Sequence, residues 1–326
     1  MISSNLKVKR SGPTNFFPEI CYSCSRELQT LGFECEVILV PGGVGVKFTG
    51  QQTTVDSIKK LSHLPILELD FSEITEFPVD EIQFFRLNGL ALPKRSESSF
   101  STFKKFQLSR FRAVHSLAHD FDSLECHPLE ELDLSGSALS NLSFCRDMPL
   151  SKLDVSSTPV QDISSLQKTA LGTLNLSKTR IRNLQGLEEL PLRSLDLTAT
   201  QVVELEPLNG APLQNLSLRA TQVSDLNPLM DSPIDTLELP GSQVRSIRPL
   251  TYCPIRCLNM IGIPVEDLSP LKEMQLESLS LSPLKLNRDD FDILGKLNIQ
   301  NLIGPGDPAD QTPEQFLQKY LKILDT

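Results

Sequence analysis

The sequence lacks several features that would assign it to common functional classes. It has no stretch of 18 apolar residues, so no transmembrane helix is predicted. Its amino terminus, MISSNLKVKRSGPTN, is basic but is not followed by the apolar run of a secretory signal. It has no excess of basic residues either, because the formal charge is −10 and the pI is near 5.0. We therefore expect a cytoplasmic chain that binds neither membranes nor nucleic acid.

Signatures of catalysis are also missing. The glycines of PGGVGVKF, at residues 41–48, match neither GxxxxGK[ST] nor GxGxxG, so this stretch is interpreted as a turn between strands. The kinase signatures HRD and DFG do not occur. Seven cysteines, an odd number without a regular framework, fit reduced thiols better than a disulfide scaffold. The sequence therefore predicts no enzyme, no cofactor and no metal centre.

What the sequence does contain is one pattern that occurs eight times at a spacing of 21 residues. If the first apolar residue of each repeat is called position 1, positions 4 and 6 are also apolar. A repeat of about 20 to 29 residues built on LxxLxL predicts one short strand and a return segment, stacked into a curved solenoid with a continuous core. The residues at position 1 are Leu129, Leu150, Leu171, Leu192, Leu213, Ile234, Ile255 and Leu276.

Two other positions of the repeat carry information about the backbone. The residue immediately before position 1 is proline in six of the eight repeats, which disfavours helical return segments. Position 9 is a hydroxyl residue, which we expect to satisfy buried backbone groups where the chain leaves the strand, within its own repeat or in the next. These hydroxyl residues are Ser137, Thr158, Thr179, Thr200, Thr221 and Ser242.

Weaker copies of the pattern precede the regular run. Three sets of residues match positions 1, 4 and 6, although their spacing is less regular than in the later repeats. The step from the last of these sets, at Phe103, to Leu129 is longer than one repeat, which predicts a five-residue insertion within residues 109–128. The sets are Leu64, Leu67 and Leu69; Ile82, Phe85 and Leu87; and Phe103, Phe106 and Leu108.

The pattern LxxLxLxxTxVxxLxPLxxxP resembles the short-repeat class of leucine-rich repeat proteins that includes internalins. It also resembles the threonine-bearing leucine-rich tails of some bacterial signalling proteins, several of which are attached to Ser/Thr kinases. The resemblance covers about residues 64–303. It implies an α/β, right-handed leucine-rich repeat solenoid with a curved parallel β-sheet, a mostly non-helical convex side and terminal caps. It also implies a role in binding a partner.

Both ends of the chain are predicted to cap the solenoid. Residues 17–31 have helical apolar spacing and are followed by a strand at Cys35–Val40. Thr312, Pro313 and Gln315 resemble an N-cap, a first-turn proline and a capping-box acceptor for a helix through Leu324. The predicted domains are a lead and helix-strand cap at 1–45, a solenoid at 46–304 and a cap helix at 305–326.

The first candidate site is a polar ladder on the concave face. Position 5 points away from the core, and neighbouring strands lie about 4.7 to 4.9 Å apart. The ladder could receive a basic segment or peptide N–H donors, but it lacks the aromatic and arginine anchors that usually dominate binding energy. A solvated face without a partner is the alternative. The candidate residues are Asp133, Asp154, Asn175, Asp196, Glu238 and Asn259.

The second candidate site is a basic segment at residues 82–112, where seven cations oppose the single acid Glu97. Phenylalanines lie among these cations, a combination that suits anionic partners. Pairing with acids of the same chain is the alternative. The candidate binding residues are Lys104, Lys105, Arg110 and Arg112.

Two cysteine and histidine clusters have weaker chemical interpretations. His115, His119, Cys126 and His127 could ligate zinc, but their irregular order favours ordinary surface residues. Cys21 and Cys24 form a CxxC motif in the middle of a predicted helix, where the spacing also suits a packing face.

The function predicted from these features is non-enzymatic protein recognition or scaffolding through the solenoid surface. The partner is a protein or peptide, and the acidic ladder favours a basic one. The alternatives are a sensor or localisation tail of a bacterial Ser/Thr kinase-type signalling protein, and a structural spacer.

Overall fold

The computed structural model describes residues 18–49, 58–75, 79–283 and 286–324, and gives no side-chain burial for residues 18, 19, 323 and 324. The predicted lead at residues 1–15 lies outside these ranges. The chain divides into two compact units, residues 1–139 with 143–150, and residues 140–142 with 151–326.

The first unit begins with the predicted helix and strand. Helix α1 spans Pro18–Thr30 and contacts the first strand. The first two strands form an antiparallel hairpin, and the next four follow in parallel. The strands are β1 Cys35–Val40, β2 Gly43–Phe48, β3 Ile66–Asp70, β4 Gly89–Ala91, β5 Arg110–Arg112 and β6 Glu131–Asp133.

The second unit is a run of parallel strands closed by two helices. Adjacent strands from β7 to β13 pair at a constant offset of one repeat, and β13 pairs with β14. The strands are β7 Lys152–Asp154, β8 Thr173–Asn175, β9 Ser194–Asp196, β10 Asn215–Ser217, β11 Thr236–Glu238, β12 Cys257–Met260, β13 Ser278–Leu281 and β14 Asn301–Ile303. The helices are α2 Arg288–Leu294 and α3 Pro313–Leu324.

The core follows the repeat as predicted. Position-4 residues such as Leu174, Leu195 and Leu216 are at most 2% exposed, and so are their neighbours at positions 1 and 6. Most return segments contain a short 3-10 helix, for example Asn227–Leu229 with a proline in its first turn. The predicted parallel sheet is therefore confirmed, and its return segments are mostly extended chain with short 3-10 turns.

The carboxyl-terminal cap helix begins at the predicted residue. The Thr312 hydroxyl accepts a hydrogen bond from the Gln315 N–H at 3.3 Å, and the Gln315 side chain accepts one from the Thr312 N–H at 3.1 Å. These two bonds form the predicted capping box. Helix α3 packs its buried Phe316 and Tyr320 towards β14 and α2, so it covers the end of the sheet.

The predicted register of the early repeats was wrong. In β3, β4 and β5 the buried position-4 residues are Leu69, Leu90 and Phe111, which lie side by side on adjacent strands. The next residue of this row is Leu132 in β6, the first of the regular repeats. All of these residues have the spacing of the later repeats. The regular repeat therefore starts at Ile66, and no insertion exists within residues 109–128.

The apolar residues that were wrongly assigned to strand positions 1 and 4 are buried in the return segments. Ile82 and Phe103 lie in 3-10 helices, and Phe85 and Phe106 follow them. Their i, i+3 spacing equals that of positions 1 and 4, so the apolar pattern alone is ambiguous.

Four of the six position-9 hydroxyls satisfy a backbone carbonyl within their own repeat. Thr158, Thr179, Thr200 and Thr221 are buried, and each hydroxyl donates to the carbonyl three residues earlier at 2.6 to 2.7 Å. That carbonyl is at position 6, where the strand ends. The hydroxyls were predicted to bond either within their own repeat or to the next repeat. At these four threonines the bond is within the same repeat.

Replacement of Thr179 by valine is expected to lower the free energy of unfolding by about 1 kcal/mol, because the Leu176 carbonyl loses a buried donor while the volume hardly changes. A urea unfolding midpoint would measure this. Thr251→Val is the matched control, because the Thr251 hydroxyl makes the same bond to Arg248 at an exposed site. Equal losses in the two variants would show that burial of the hydroxyl column does not matter.

Candidate functional site

Polar side chains at position 5 end the strands of the second unit. In Asp154, Asn175, Asp196 and Asn259 one side-chain oxygen accepts a hydrogen bond from the backbone N–H two residues later, at 2.8 to 3.2 Å. Asp133 of the first unit makes the same bond at 3.1 Å. Such Asx turns hold each side chain in one orientation at the strand end.

Amide and carboxylate groups on neighbouring strands of the second unit also bond to one another. The Asn175 amide donates to Asp154 Oδ2 at 2.9 Å, and the Asn259 amide donates to Glu238 Oε2 at 2.7 Å. The Arg219 guanidinium lies 3.0 Å from the same Glu238 oxygen. The predicted ladder is thus a row of ordered side chains, and part of its negative charge is already compensated.

Asp196 differs from its neighbours in the row. Its Oδ1 accepts the Thr198 N–H at 2.8 Å, and within the described part of the second unit no side chain bonds its second oxygen. Thr173 on the adjacent strand β8 and Ser194 on the same strand, both at position 3, are small and partly exposed. The carboxylate of Asp196 is therefore held in place and remains open to a donor from outside.

Arginines of the predicted basic segment pair with acids of the same sheet. The Arg110 guanidinium contacts the Glu68 carboxylate. Arg112 lies 3.9 Å from the Asp70 carboxylate and 3.4 Å from that of Asp133. These contacts favour the intramolecular alternative for Arg110 and Arg112, and they join one member of the basic segment to one member of the ladder.

Small residues on β4 make these pairs possible. Glu68 on β3 and Arg110 on β5 are separated by one strand, on which Gly89 lies between them. A Cβ atom at Gly89 would lie 2.7 Å from Glu68 Cγ. The missing side chain therefore leaves the space that the glutamate needs to cross β4.

Lys104 and Lys105 lie apart from the two arginines. They follow the 3-10 helix Phe100–Phe103 in a return segment, whereas the arginines lie on a strand. The Lys105 ammonium donates to the carbonyl and side-chain oxygens of Gln83 at 3.0 and 3.2 Å. The structure thus separates the predicted basic site into two parts.

The histidine cluster does not converge on a common point. His115, His119 and Cys126 are exposed, whereas His127 is buried and its Nδ1 donates to the Phe106 carbonyl at 3.0 Å. No group of three or more side chains suited to a metal occurs within the described ranges.

Acid is expected to destabilise the first unit through His127. Burial lowers the pKa of this imidazole, although its bond to Phe106 opposes the shift. Below the ordinary histidine pKa of 6.5 the unfolded state takes up a proton that the folded state resists. Stability should therefore fall as the pH decreases from about 6.5, by at most about 1.4 kcal/mol per pH unit for one proton.

Urea midpoints at pH 7.5 and pH 5.5 measure this effect. We expect His127→Gln to have a smaller difference between the two midpoints than the native chain. The exposed His119→Gln is the control and should retain the native difference. A native difference that persists in His127→Gln would rule out this residue as the cause.

The cysteine pair of α1 is part of the helix packing surface. Cys21 and Cys24 are 2% and 1% exposed. Burial, together with nearby Cys21 and Glu27, raises the pKa of Cys24 to about 11. A protonated, buried thiol is a poor nucleophile, so these contacts favour packing over redox chemistry.

Sequence reasoning missed an ionic ladder at position 2. Arg256 contacts the Asp235 carboxylate, and its Nη1 lies 3.4 Å from a Glu277 oxygen. The hydrogen bond from Arg256 lowers the pKa of Asp235. The alternation of Asp, Arg and Glu at the same position of successive repeats could have revealed these contacts.

The fold was compared with those of known proteins. No protein-family model and no curated protein matches the sequence. Among solved structures, the internalin InlF of Listeria monocytogenes is 21% identical with a TM-score of 0.70, and the match covers 84% of each chain. The leucine-rich repeat domain of APL1B is 16% identical with a TM-score of 0.52, over 83% of this chain and 82% of that one.

A third similar structure is the functional domain of InlJ from Listeria monocytogenes, described as including a cysteine ladder. It is 15% identical with a TM-score of 0.52, over 72% of this chain and 62% of that one. In the part of this chain that the structure describes, no helix is both long and apolar enough to cross a bilayer. Repeat solenoids of this kind generally serve protein binding. The parallel strands, the regular repeat and these similarities show that the chain has the leucine-rich repeat fold of the internalin type.

Proposed function

We propose that the chain is a protein-recognition module that binds a partner through the outward face of strands β7–β12. The observation that carries this proposal is the row of position-5 side chains whose orientation is fixed by Asx turns. Because these acceptors are ordered before binding, little side-chain entropy is lost when a partner docks.

The chemistry of the face favours a partner that donates hydrogen bonds. Asp154, Asp196 and Glu238 supply carboxylates, and no aromatic side chain occupies position 3 or 5 of β7–β13. Affinity must then come from many polar contacts to an ordered surface. A segment rich in lysine, arginine or free backbone N–H groups would complement this face.

Isosteric substitutions test the proposal without removing the Asx turns. A variant with Asp154→Asn, Asp196→Asn and Glu238→Gln keeps one acceptor oxygen on each side chain, which is sufficient for the Asx turns of Asp154 and Asp196, and loses three negative charges. Glu189→Gln, Glu204→Gln and Glu206→Gln change the charge equally at exposed residues outside the strands. Affinity capture with the native chain and both variants, followed by titration of the captured protein, compares the two surfaces.

We expect the face variant to weaken binding about tenfold or more, because each carboxylate that pairs with a cation contributes on the order of 0.5 to 1 kcal/mol. The control variant should bind like the native chain. Equal loss in both variants would make the effect one of net charge alone. Failure of the native chain to bind any protein would leave a structural spacer as the better interpretation.

A further inference from the structure

The return segments of the first unit carry a cluster of cations that is separate from the sheet face. It comprises five exposed cations on three successive turns and one exposed aromatic ring, and we call it the basic side. Its members are Lys59, Lys60, Phe84, Arg86, Lys104 and Lys105.

Direct contacts link the three turns of the basic side. The Lys59 ammonium lies over the Phe84 ring, 4.4 Å from its centroid. Lys105 bonds to the carbonyl and side chain of Gln83, next to Phe84. The Lys59 backbone N–H is held by the buried Glu81 carboxylate at 3.0 Å. The cations therefore lie together on an ordered surface.

None of the five cations is neutralised by an acid of the described ranges, because Lys59 contacts the Phe84 ring and Lys105 bonds to Gln83. The side chains of Lys60, Arg86 and Lys104 make no ion pair with any residue there. This differs from Arg110 and Arg112, which are paired on the sheet. In a chain of net charge −10, a surface of unpaired cations is a local exception.

An apolar groove adjoins these cations. It is lined by Phe85, Leu87 and Phe106 together with polar residues of the two flanking turns, namely Gln83, Arg86, Asn88, Lys105 and Gln107. Phe84 is 52% exposed beside it. An apolar side chain of a partner could enter the groove while neighbouring acids meet Arg86 and Lys105.

We propose that the basic side binds an acidic, extended peptide segment in which carboxylates alternate with apolar residues. The cations complement the carboxylates and the groove accepts an apolar side chain. The cations span only three turns, or roughly 10 Å at strand spacing. A nucleic-acid duplex carries a longer row of phosphates than these three turns can neutralise, so a short peptide fits this surface better. The site lies outside the sheet face proposed above.

Fluorescence anisotropy with a labelled peptide of alternating acidic and Leu or Phe residues, long enough to span the three turns, tests this proposal. The first variant carries Lys60→Ser, Arg86→Ser and Lys104→Ser, whose side chains make no ion pair within the described ranges. The matched control carries Arg146→Ser, Lys168→Ser and Lys272→Ser, three exposed cations of other return segments. Unfolding midpoints verify that all variants are folded.

The native chain should bind the peptide, and its affinity should decrease as salt rises from roughly 50 to 200 mM. The first variant should bind about tenfold more weakly, since exposed charge pairs contribute a few-fold each, whereas the control should change less than about twofold. Phe84→Ser should weaken binding of the same peptide but not of one with Ser in place of Leu and Phe.

Several results would overturn the proposal. The first is that the native chain fails to bind the peptide, and the second is that both triple variants bind it equally weakly. The third is that a peptide with Gln and Asn in place of the acids binds as tightly as the acidic peptide. Tighter binding of a single-stranded oligonucleotide or of anionic vesicles would assign the basic side to nucleic acid or to membranes instead. The sheet-face variant should bind the peptide normally, so the two proposals can fail independently.

Discussion

Replacement of Gly186 by alanine is expected to lower the free energy of unfolding by about 3 kcal/mol, one of the two largest effects predicted for this chain. Gly186 has a φ of +100°, which alanine adopts only with strain. Its Cβ would lie 2.7 Å from the Ile163 carbonyl oxygen and 2.8 Å from Ser164 Cα. Both are backbone atoms of the preceding repeat, so relief requires the two turns to move apart.

Urea unfolding of Gly186→Ala measures this loss, and Gly210→Ala separates its two causes. Gly210 also has a positive φ of +77°, but nothing lies within 4 Å of its added Cβ. Replacement of Gly210 by alanine should lower the free energy of unfolding by only about 1 kcal/mol, because it causes backbone strain but no steric clash. Similar losses in the two variants would mean that the repeats are not packed as closely as the Gly186 contacts indicate.

Replacement of Asp307 by alanine is expected to cost about 2 to 3 kcal/mol by releasing the carboxyl-terminal cap. The Asp307 side chain is 3% exposed. It accepts hydrogen bonds from the Gly304 N–H and the Tyr320 hydroxyl, each at 3.0 Å, and contacts the Lys319 ammonium. The substitution leaves these donors without their acceptor and removes the connection between the 304–310 loop and α3.

Hydrogen exchange of the α3 amides and the urea midpoint would measure the loss, and Asp310→Ala is the exposed control in the same loop. Burial alone would raise the pKa of Asp307, but the hydrogen bonds from Lys319 and Tyr320 outweigh it, so the pKa is lowered. Its stabilisation should therefore be complete above about pH 4 and decrease as the pH falls further. Unchanged exchange in α3 would show that another contact holds the cap.

The sequence predicted the strands best where one apolar pattern fits. From Leu129 to Leu281 the repeat interval is unambiguous, and the observed strands follow it. In the earlier repeats Ile82 and Phe85 imitate positions 1 and 4 because the buried return segment has the same spacing as the strand. Extending the regular interval backwards to Ile66 would have resolved the choice and removed the predicted insertion.

The site was predicted less completely than the fold, for a physical reason. A sequence pattern can place Asp154 on an outward face, but not show that its oxygens are already bonded to Ser156 and Asn175. In the same way, the charge of Arg110 did not reveal Glu68 two strands away. Which polar groups remain open depends on side-chain geometry across neighbouring repeats.

The Asx turns at position 5 determine which substitutions the strand ends can tolerate as the sequence evolves. An Asx turn needs an oxygen two residues before its N–H donor, so Asp and Asn can replace one another there while the strand end keeps its shape. At Asp196, whose second oxygen is bonded by no side chain of the described second unit, such an exchange would alter surface charge by one unit and keep the turn, whereas at Asp154 it would remove the acceptor of the Asn175 amide. At such open positions the row can thus acquire new binding preferences through single-nucleotide changes between Asp and Asn codons, with little loss of stability.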